Sequence, residues 1–396
     1  MVKIRLKLEH NTGIGSQKLI IFFHRLSLPR REKMGIPILL FSVILLLSSP
    51  VALCGCYKRI FSFGDSIIDT GNFAYTTGNS STPVKEPPYG MTYFHHPTGR
   101  VSDGRVLVDF YAQAFNLPLV PPSIPEQNSG QFPTGANFAY LGATALPPDF
   151  YKVKYNFEMG GSSNLGMQLD SFKTVLARIA PGPDATKSLL AESLIIMGEI
   201  GGNDYNYWLL SKGRPRDTPF QYMPDVVGRI GNAVQDMINL GAKVVLVPGN
   251  FPIGCVPGYL AKLQSSDAAD YDANGCLVWY NNFSEKHNQL LQQEVLRLRS
   301  QNPGVMIIFA DYFGAAMQFV QNRKKYGIDD PLVACCGGDG RYHYTEAGCN
   351  KTSKVWGNPG NFASWDGIHM TEKAYSIIAD GVLNGPFADP ALLGSC

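Results

Sequence analysis

The sequence predicts a three-layer α/β/α fold, in which helices cover both faces of a mostly parallel central sheet. Short apolar runs typical of buried strands alternate with longer segments whose apolar side chains recur at helical spacing. Strands buried on both faces have continuous apolar runs, and strands that alternate with helices form parallel sheets. The predicted strands are residues 59–63, 194–197, 243–247 and 305–310.

The predicted helices lie between and after these strands. Residues 281–301 carry leucine and valine on one side and charged or amide side chains on the other, as expected for a surface helix. The last helix begins after Thr371, a suitable N-cap, and ends before Gly385. Residues 106–112 fit either a strand or a helix. The helical segments are residues 166–179, 224–240, 281–301 and 371–383.

Polar or turn-forming residues follow the predicted strands. Ser66, Asn203 and the turn at residues 248–252 each come shortly after one of these strands. Parallel α/β sheets form their ligand sites at the carboxyl ends of the strands. The sequence therefore predicts an active site at this edge of the sheet.

Composition and charge favour one large acidic domain. The chain has 396 residues, 45% of them hydrophobic, and we expect a single domain over residues 57–396 after an N-terminal extension, residues 1–56. The extension holds 8 Lys and Arg against 2 Asp and Glu, a charge of +6, and the rest holds 26 against 30, a charge of −4. Without a basic stripe in the body, we expect no nucleic-acid partner.

The extension has the features of a secretory signal. Residues 35–53 are almost wholly apolar, follow a basic flank and end in small or helix-breaking residues, which predicts cleavage near residues 52–56. A retained membrane anchor is the alternative, but Pro37 interrupts the run and its length is at the lower limit for a span. Met34 is an alternative start that would remove residues 1–33. We expect a secreted protein, in the apoplast or another secretory compartment, without stable membrane insertion after cleavage.

Cysteine usage agrees with export. Beyond residue 56 the chain has six cysteines, an even number that suggests disulfides in a secreted protein. Short loops favour a Cys255–Cys276 bridge and a bridge from Cys335 or Cys336 to Cys349. No C-x-x-C pair or histidine cluster has the spacing of zinc ligands, so we expect no metal. Sequons predict glycosylation at Asn79, Asn282 and Asn350.

Ser66 is the candidate nucleophile. It lies in Gly64-Asp65-Ser66 after a predicted strand, although such a segment also suits a capping serine at a helix N-terminus. A serine hydroxyl needs an adjacent base, the base needs an orienting carboxylate, and the tetrahedral intermediate needs fixed donors. Asp366 can reach His369 Nδ1 within one turn, but the D-x-x-H pattern by itself is also common in surface turns.

Four segments resemble the blocks of the GDSL esterases and lipases, within the SGNH hydrolases, and especially the secreted plant members. GDSIIDTGN contains Ser66, GANFAYLGA contains Gly142, IGGNDYN contains Asn203, and WDGIH contains Asp366 and His369. Taken singly, Gly142 would indicate close packing and Gly-Gly-Asn-Asp a tight turn. The resemblance covers about residues 58–385 and implies an SGNH, flavodoxin-like fold with a mostly parallel five-stranded central sheet.

The resemblance also implies a role for each residue. Ser66, His369 and Asp366 would form a catalytic triad, and the oxyanion hole would use the backbone N–H groups of Ser66 and Gly142 and the amide of Asn203. No G-x-S-x-G segment surrounds Ser66, which argues against an α/β-hydrolase lipase.

Other polar and aromatic residues are expected to support the site or the fold. Asp65, Asp69, Asn72 and Asp103 are interpreted as residues that order the loops around Ser66. The remaining histidines of the body, expected in loops or structural positions, are His95, His96, His287 and His343. Aromatic residues that either wall the pocket or pack in the core are Tyr89, Tyr93, Phe94, Tyr205, Tyr207 and Trp208.

These observations predict a secreted serine esterase that acts through an acyl-enzyme without a cofactor or metal. The resemblance implies that its partner is a small-molecule ester of a lipid, an acetylated sugar or a plant metabolite. One alternative is acyl transfer to an alcohol by the same residues. The other is a non-catalytic secreted binding protein, which should have lost part of this residue set.

Overall fold

The computed structural model describes residues 4–9, 18–23, 56–126 and 128–395. The chain divides into two units, Met1–Cys54 and Gly55–Cys396. In the first unit, strand β1 (Ile4–Glu9) pairs antiparallel with β2 (Lys18–Phe23). The predicted signal segment, residues 35–53, lies outside the described residues. Within the described ranges no helix is both long enough and apolar enough to cross a membrane.

A mixed six-stranded sheet lies at the centre of the second unit. Its strands are β3 (Arg59–Ser62), β4 (Gly135–Asn137), β5 (Ser193–Ile196), β6 (Val244–Pro248), β7 (Met306–Ala310) and β12 (Ala388–Asp389). The strand order is β12-β7-β6-β5-β3-β4, with every pair parallel except β12 with β7. The predicted α/β fold with a mostly parallel sheet is confirmed, and the short edge strand β12 adds a sixth strand to the five expected.

The strand order positions the candidate site. The chain leaves β3 to form its neighbour β4 on one side and later forms β5 on the other side, so the order reverses at β3. Ligands in α/β sheets bind in the crevice that such a reversal opens at the carboxyl ends of the strands. Ser66 follows β3 and Asn203 follows β5, which places both at this crevice.

Helices flank the sheet close to where the sequence predicts them. The last helix has Thr371 as its N-cap, whose Oγ1 accepts a hydrogen bond from the Ala374 N–H at 3.2 Å. The helices are α1 (Asn72–Thr76), α2 (Leu107–Ala114), α3 (Pro148–Tyr155), α4 (Leu165–Ile179), α5 (Pro183–Ala191), α6 (Gly202–Leu209), α7 (Pro219–Leu240), α8 (Pro257–Lys262), α9 (Val278–Gln301), α10 (Tyr312–Gln321), α11 (Arg323–Tyr326) and α12 (Glu372–Asn384).

Three details differ from the pattern read in the sequence. The ambiguous segment 106–112 forms helix α2. Helix α7 begins five residues before the predicted 224–240, because Pro219 is tolerated in its first turn. Strand β4 was not predicted, since Gly135-Ala-Asn has no apolar run, yet it pairs with β3 along all three residues.

A smaller substructure carries the C-terminal site residues. Strand β8 (Asp330–Ala334) pairs parallel with β11 (Phe362–Ser364), and β9 (Cys336–Gly337) pairs antiparallel with β10 (Lys354–Val355). The disulfides Cys255–Cys276 and Cys336–Cys349 are both formed, which selects Cys336 over Cys335 as the partner of Cys349. Cys335 is a buried free thiol, and burial raises its pKa to about 12.

A buried ion pair ties helix α2 to the loop that carries Ser66. Arg100 Nε and Nη2 donate to Asp109 Oδ2 and Oδ1 at 2.7 and 2.8 Å, and Nη1 donates to the Thr70 carbonyl at 3.3 Å. Asp109 is fully buried and Arg100 is 7% exposed. A buried ion pair stabilises a protein little more than hydrophobic residues in its place would. Removal of one partner, however, leaves the other charge buried and uncompensated, which is strongly destabilising.

We expect Asp109→Asn to lower the free energy of unfolding by about 3–5 kcal/mol, because it leaves the Arg100 guanidinium buried without its carboxylate. Urea titration followed by circular dichroism would measure the change. Asp225→Asn is the control, since Asp225 pairs with Lys154 at the surface and both side chains are about half exposed. Equal midpoints for the two variants would contradict the prediction.

Candidate active site

Ser66 lies at the end of a tightly packed strand-to-loop turn. Gly64 takes a φ of +137°, and a Cβ there would lie 2.9 Å from the Glu199 carbonyl oxygen. The side-chain amide of Gln168 donates to the Gly64 carbonyl at 2.8 Å and accepts from the Gly64 N–H at 2.9 Å. These contacts fix the backbone two residues before Ser66, which is 6% exposed.

The structure brings Ser66, His369 and Asp366 into one hydrogen-bonded row. His369 Nε2 lies 2.8 Å from Ser66 Oγ, and His369 Nδ1 lies 2.8 Å from Asp366 Oδ2. Asp366 Oδ1 accepts from the backbone N–H groups of Ile368 and His369 at 3.0 and 2.8 Å. The carboxylate is thus held by its own turn, and the imidazole is oriented to accept a proton from Ser66.

The electrostatics of the row combine an ionised carboxylate with an imidazole of raised pKa. Burial alone would raise the pKa of Asp366, but His369 and the two backbone donors outweigh it and lower the pKa to about 2. For His369, burial lowers the pKa, whereas the charge and hydrogen bond of Asp366 raise it, leaving it above the ordinary 6.5. Base catalysis by His369 therefore weakens as the pH falls through this raised pKa.

Two backbone N–H groups of residues that line the cleft have no acceptor within the described part of the chain. Gly142 takes a φ of +78°, and a Cβ there would lie 2.8 Å from Tyr207 Oη, so the turn requires glycine. Among the described residues no protein acceptor takes a hydrogen bond from the N–H of Ser66 or of Gly142. Ser66, Gly142 and Asn203 all line the same cleft, an arrangement that suits an oxyanion hole.

The Asn203 amide is already engaged. Its Nδ2 donates to Asp65 Oδ2 at 2.8 Å and to the Ala143 carbonyl at 3.1 Å. Since Nδ2 carries two hydrogens, Asn203 must share or release the longer of these bonds to donate to an oxyanion. The position of Asn203 agrees with the sequence, and this double engagement was not foreseen.

A pair of buried acids lies behind Asn203. Asp65 and Glu199 share a side-chain hydrogen bond, and both line the cleft while being almost fully buried. Burial raises the pKa of Asp65 to about 6, and burial together with the Asp65 charge raises the pKa of Glu199 well above its ordinary value. Asp65 thus links Glu199 to the Asn203 amide. Glu199 was not predicted, since its only signal in the sequence is an acid four residues before Asn203.

Tyr89, considered from the sequence as either a pocket wall or a core residue, contacts the triad carboxylate instead. Its hydroxyl donates to Asp366 Oδ2 at 2.9 Å, the same oxygen that accepts from His369 Nδ1. Tyr89 is buried and packs edge-on against Trp365. Burial and the Asp366 charge raise the pKa of Tyr89 well above 10, so it remains a donor.

We expect Tyr89→Phe to lower kcat/KM roughly tenfold at pH 7 and to move the acid limb of its pH profile upward. Without the Tyr89 hydrogen bond, the Asp366 charge acts more fully on His369 and raises the pKa of the imidazole further. A hydrogen bond to a charged group contributes about 1.5–3 kcal/mol. A tenfold loss in kcat/KM corresponds to only part of that free energy. Hydrolysis of p-nitrophenyl acetate from pH 5 to 9 gives the profile.

Tyr111→Phe is the matched control for this variant. It also removes a buried hydroxyl, bonded to Tyr312 at 3.0 Å, but it has no bond to the triad. The control should leave the acid limb in place. An unshifted limb in Tyr89→Phe would show that Tyr89 only supports the fold.

The cleft at Ser66 combines an apolar lining with a few amides and hydroxyls. Its cavity volume is about 190 Å³. Of the aromatic residues considered in the sequence, Tyr207 lines this cleft, whereas Tyr205 and Trp208 are buried in the core. The lining includes Ile67, Leu141, Asn206, Tyr207, Asn250, Phe251, Ile253, Val256, Tyr259, Ile368 and Met370.

The other polar residues considered in the sequence lie outside the reaction row. Asp69 accepts hydrogen bonds from the N–H groups of Gly71 and Asn72, both at 2.8 Å, and so orders the loop after Ser66. His287 is buried against Tyr205 in helix α9, and His343 stacks on Trp356. None of the four remaining histidines of the described body lines the cleft: His95, His96, His287 and His343.

The described residues include no group of three or more His, Cys, Asp or Glu side chains that could hold a metal ion.

Of the sequon asparagines, Asn79 and Asn282 are exposed and Asn350 is half-buried. Glycosylation at these three positions stays a prediction.

Comparison with known proteins places the chain in a family. The profile described as GDSL-like Lipase/Acylhydrolase matches residues 60–382. The chain is 42% identical to GDSL esterase/lipase At1g28600 of Arabidopsis thaliana over 87% of its length and 88% of that protein. It is 43% identical to GDSL esterase/lipase At1g28580 over 87% and 89% of the two chains. The corresponding values for At1g28670, also from Arabidopsis thaliana, are 41%, 91% and 94%.

The two disulfides are typical of the oxidising secretory pathway. The family match spans most of the second unit, including all five predicted site residues. The chain therefore belongs to the GDSL-like lipase/acylhydrolase family of carboxylic ester hydrolases.

Proposed function

We propose that this chain is a secreted serine esterase that hydrolyses carboxylic esters through an acyl-enzyme on Ser66. The observation that carries the proposal is the row Ser66 Oγ, His369 Nε2, His369 Nδ1 and Asp366 Oδ2, with 2.8 Å at each of its two contacts. A serine, a base and an orienting carboxylate in this order are the requirements for acyl transfer to a hydroxyl.

In the first half of the reaction, Ser66 Oγ attacks the ester carbonyl carbon while its proton passes to His369 Nε2. The carbonyl oxygen becomes an oxyanion beside the N–H groups of Ser66 and Gly142, with Asn203 as the third donor. The bond from carbon to the alcohol oxygen then breaks, and the alcohol takes the proton from Nε2. The acyl group remains on Ser66.

In the second half, water gives a proton to His369 and attacks the acyl carbon. The Ser66 oxygen leaves, takes the proton back and restores the free enzyme, while the acid is released. Asp366 stays ionised throughout, because its pKa of about 2 lies far below the working pH. Every proton transfer is made by groups of this chain, so the steps need no metal or cofactor.

The test is an assay of the purified, glycosylated protein on p-nitrophenyl acetate and butyrate, combined with a serine-directed fluorophosphonate. We expect hydrolysis of both esters, a pre-steady-state burst of p-nitrophenol, and a single adduct that mass spectrometry places on Ser66. A protein that neither hydrolyses these esters nor forms the adduct would overturn the proposal and favour a non-catalytic binding protein.

Acyl transfer is the second candidate, because an alcohol can take the place of water in the second half of the same reaction. Analysis of the products with a competing alcohol separates the two. If most of the acyl group appears as a new ester in dilute aqueous alcohol, the enzyme is an acyltransferase.

A further inference from the structure

A groove next to the Ser66 cleft is lined by positive charges. Lys212, Arg214 and Arg216 come from the loop between α6 and α7, and Lys262 comes from the end of α8. Tyr280 and Tyr344 also line it. We call these six residues the basic groove. Because Lys262 lies far along the chain from the others, the cluster does not stand out in the sequence.

Most of these charges have no acidic partner. Lys262 lies 3.5 Å from Glu346, which is the only acidic residue among those that line the groove. Within the described part of the chain, no carboxylate lies within 4.0 Å of Lys212, Arg214 or Arg216. This local excess is opposite in sign to the −4 charge of residues 57–396. A groove with one sign of charge concentrates ligands of the other sign.

Aromatic rings hold the two arginines in place. The Arg214 guanidinium lies 4.9 Å from the ring centroids of both Phe157 and Trp208, and the Arg216 guanidinium lies 5.1 Å from Trp279. Cation–π contacts position a guanidinium without neutralising it. The N–H groups of both arginines thus remain free for a carboxylate, which they can bind in a bidentate manner.

Two helices connect the basic groove to the Ser66 cleft. Helix α6 carries Asn203 and Asn206 in the cleft, and Leu209 at its far end lines the groove. Helix α8 likewise contributes Tyr259 to the cleft and Lys262 to the groove. With a rise of 1.5 Å per residue, the two ends of α6 are about 10 Å apart. The cleft and the groove therefore lie about the length of one short helix apart.

We propose that the basic groove binds a carboxylate of the substrate while the ester lies at Ser66, so that the enzyme selects esters of acidic molecules. The inference rests on the proposed esterase function and adds to it the charge class of the substrate. Exposed ion pairs are individually weak, so the groove favours ligands that present several carboxylates to its cations at once. An O-acetylated polyuronate presents a carboxylate on every sugar, next to the ester-bearing ring.

The test compares two polymers acetylated to the same degree, polygalacturonate and neutral dextran, with p-nitrophenyl acetate as the uncharged small ester. In wild-type enzyme at low salt, we expect KM for the acidic polymer to be roughly tenfold lower than for dextran. The preference should largely disappear at 0.5 M NaCl, because salt screens exposed charges. O-Acetylated galacturonic acid shows whether one carboxylate suffices or several are needed.

The variant Lys212→Gln/Arg214→Gln/Arg216→Gln should raise KM for acetylated polygalacturonate about tenfold and leave kcat and the rate on p-nitrophenyl acetate unchanged. The control removes three exposed positive charges elsewhere, in Lys187→Gln/Lys324→Gln/Lys325→Gln. Both triple variants have the same net charge, so a general charge effect would change them equally. Binding of unesterified polygalacturonate by calorimetry gives a readout that does not depend on catalysis.

The outcomes separate the two proposals. If wild-type enzyme hydrolyses p-nitrophenyl acetate but shows no preference between the polymers, the basic groove is not a substrate site and the esterase function stands. Equal losses in both triple variants would also overturn the inference. If wild-type enzyme hydrolyses no ester but binds polygalacturonate through the groove, the esterase proposal fails and the carboxylate site remains.

Discussion

Ser66→Ala is expected to lower kcat/KM on p-nitrophenyl acetate and butyrate by a factor on the order of 10⁴ or more. The change removes the hydroxyl that His369 Nε2 contacts and with it the acyl-enzyme, so both halves of the reaction are lost. The oxyanion donors and the binding cleft remain, which leaves a small residual rate above that in water. Steady-state kinetics on both esters measure the loss, and circular dichroism verifies the fold.

Ser123→Ala is the matched control for this variant. Ser123 is also buried, and its hydroxyl has no partner in the described structure. The control should keep the wild-type rate within about twofold. If Ser66→Ala kept more than about a hundredth of the activity, another group in the cleft would have to be the nucleophile.

Asp366→Asn has the second largest expected effect, a fall in kcat on the order of 10³–10⁴. An asparagine amide can donate to His369 Nδ1, which would place the imidazole proton on Nε2 and leave no acceptor for the Ser66 proton. The side-chain oxygen can still accept from the N–H groups of Ile368 and His369, so the turn should persist. Kinetics on p-nitrophenyl acetate, with unfolding midpoints for both proteins, separate the loss of catalysis from any loss of stability.

The control for Asp366→Asn is Asp380→Asn on the exposed side of helix α12, where the same charge is removed away from the cleft. We expect it to keep full activity. An Asp366→Asn enzyme within tenfold of wild type would mean that Tyr89 and the turn orient His369 without the carboxylate.

The sequence predicted the residues of the reaction row because each lies in a short segment with a recognisable order. Ser66 and Asn203 line the same cleft because they follow the neighbouring strands β3 and β5. The α/β pattern of the sequence predicts this placement. The position of His369 is different, since it lies in a loop outside the central sheet. The segment WDGIH and its place before the last helix indicated it, rather than any feature of the fold.

Other parts of the site depend on contacts between segments far apart in the chain. Tyr89 and Asp366 are 277 residues apart, and nothing near Tyr89 shows that its hydroxyl reaches a carboxylate. Cys335 and Cys336 are neighbours whose loops to Cys349 differ by one residue, so the direction of each side chain, and not loop length, decides the disulfide. Strand β4 forms because β3 offers it an open edge, a tertiary effect that no local pattern of Gly135-Ala-Asn expresses.

The reacting groups come from two separate frameworks. The nucleophile and the oxyanion donors follow β3, β4 and β5 of the central sheet, whereas Asp366 and His369 follow β11, whose partner is β8 in a different sheet. The hydrogen bond between His369 and Ser66 therefore joins two substructures, one built on the six-stranded central sheet and the other on the two-stranded sheet of β8 and β11. We expect mild heating to separate His369 from Ser66 before the central sheet unfolds. Activity would then be lost while the protein is still folded, and it would return fully on cooling.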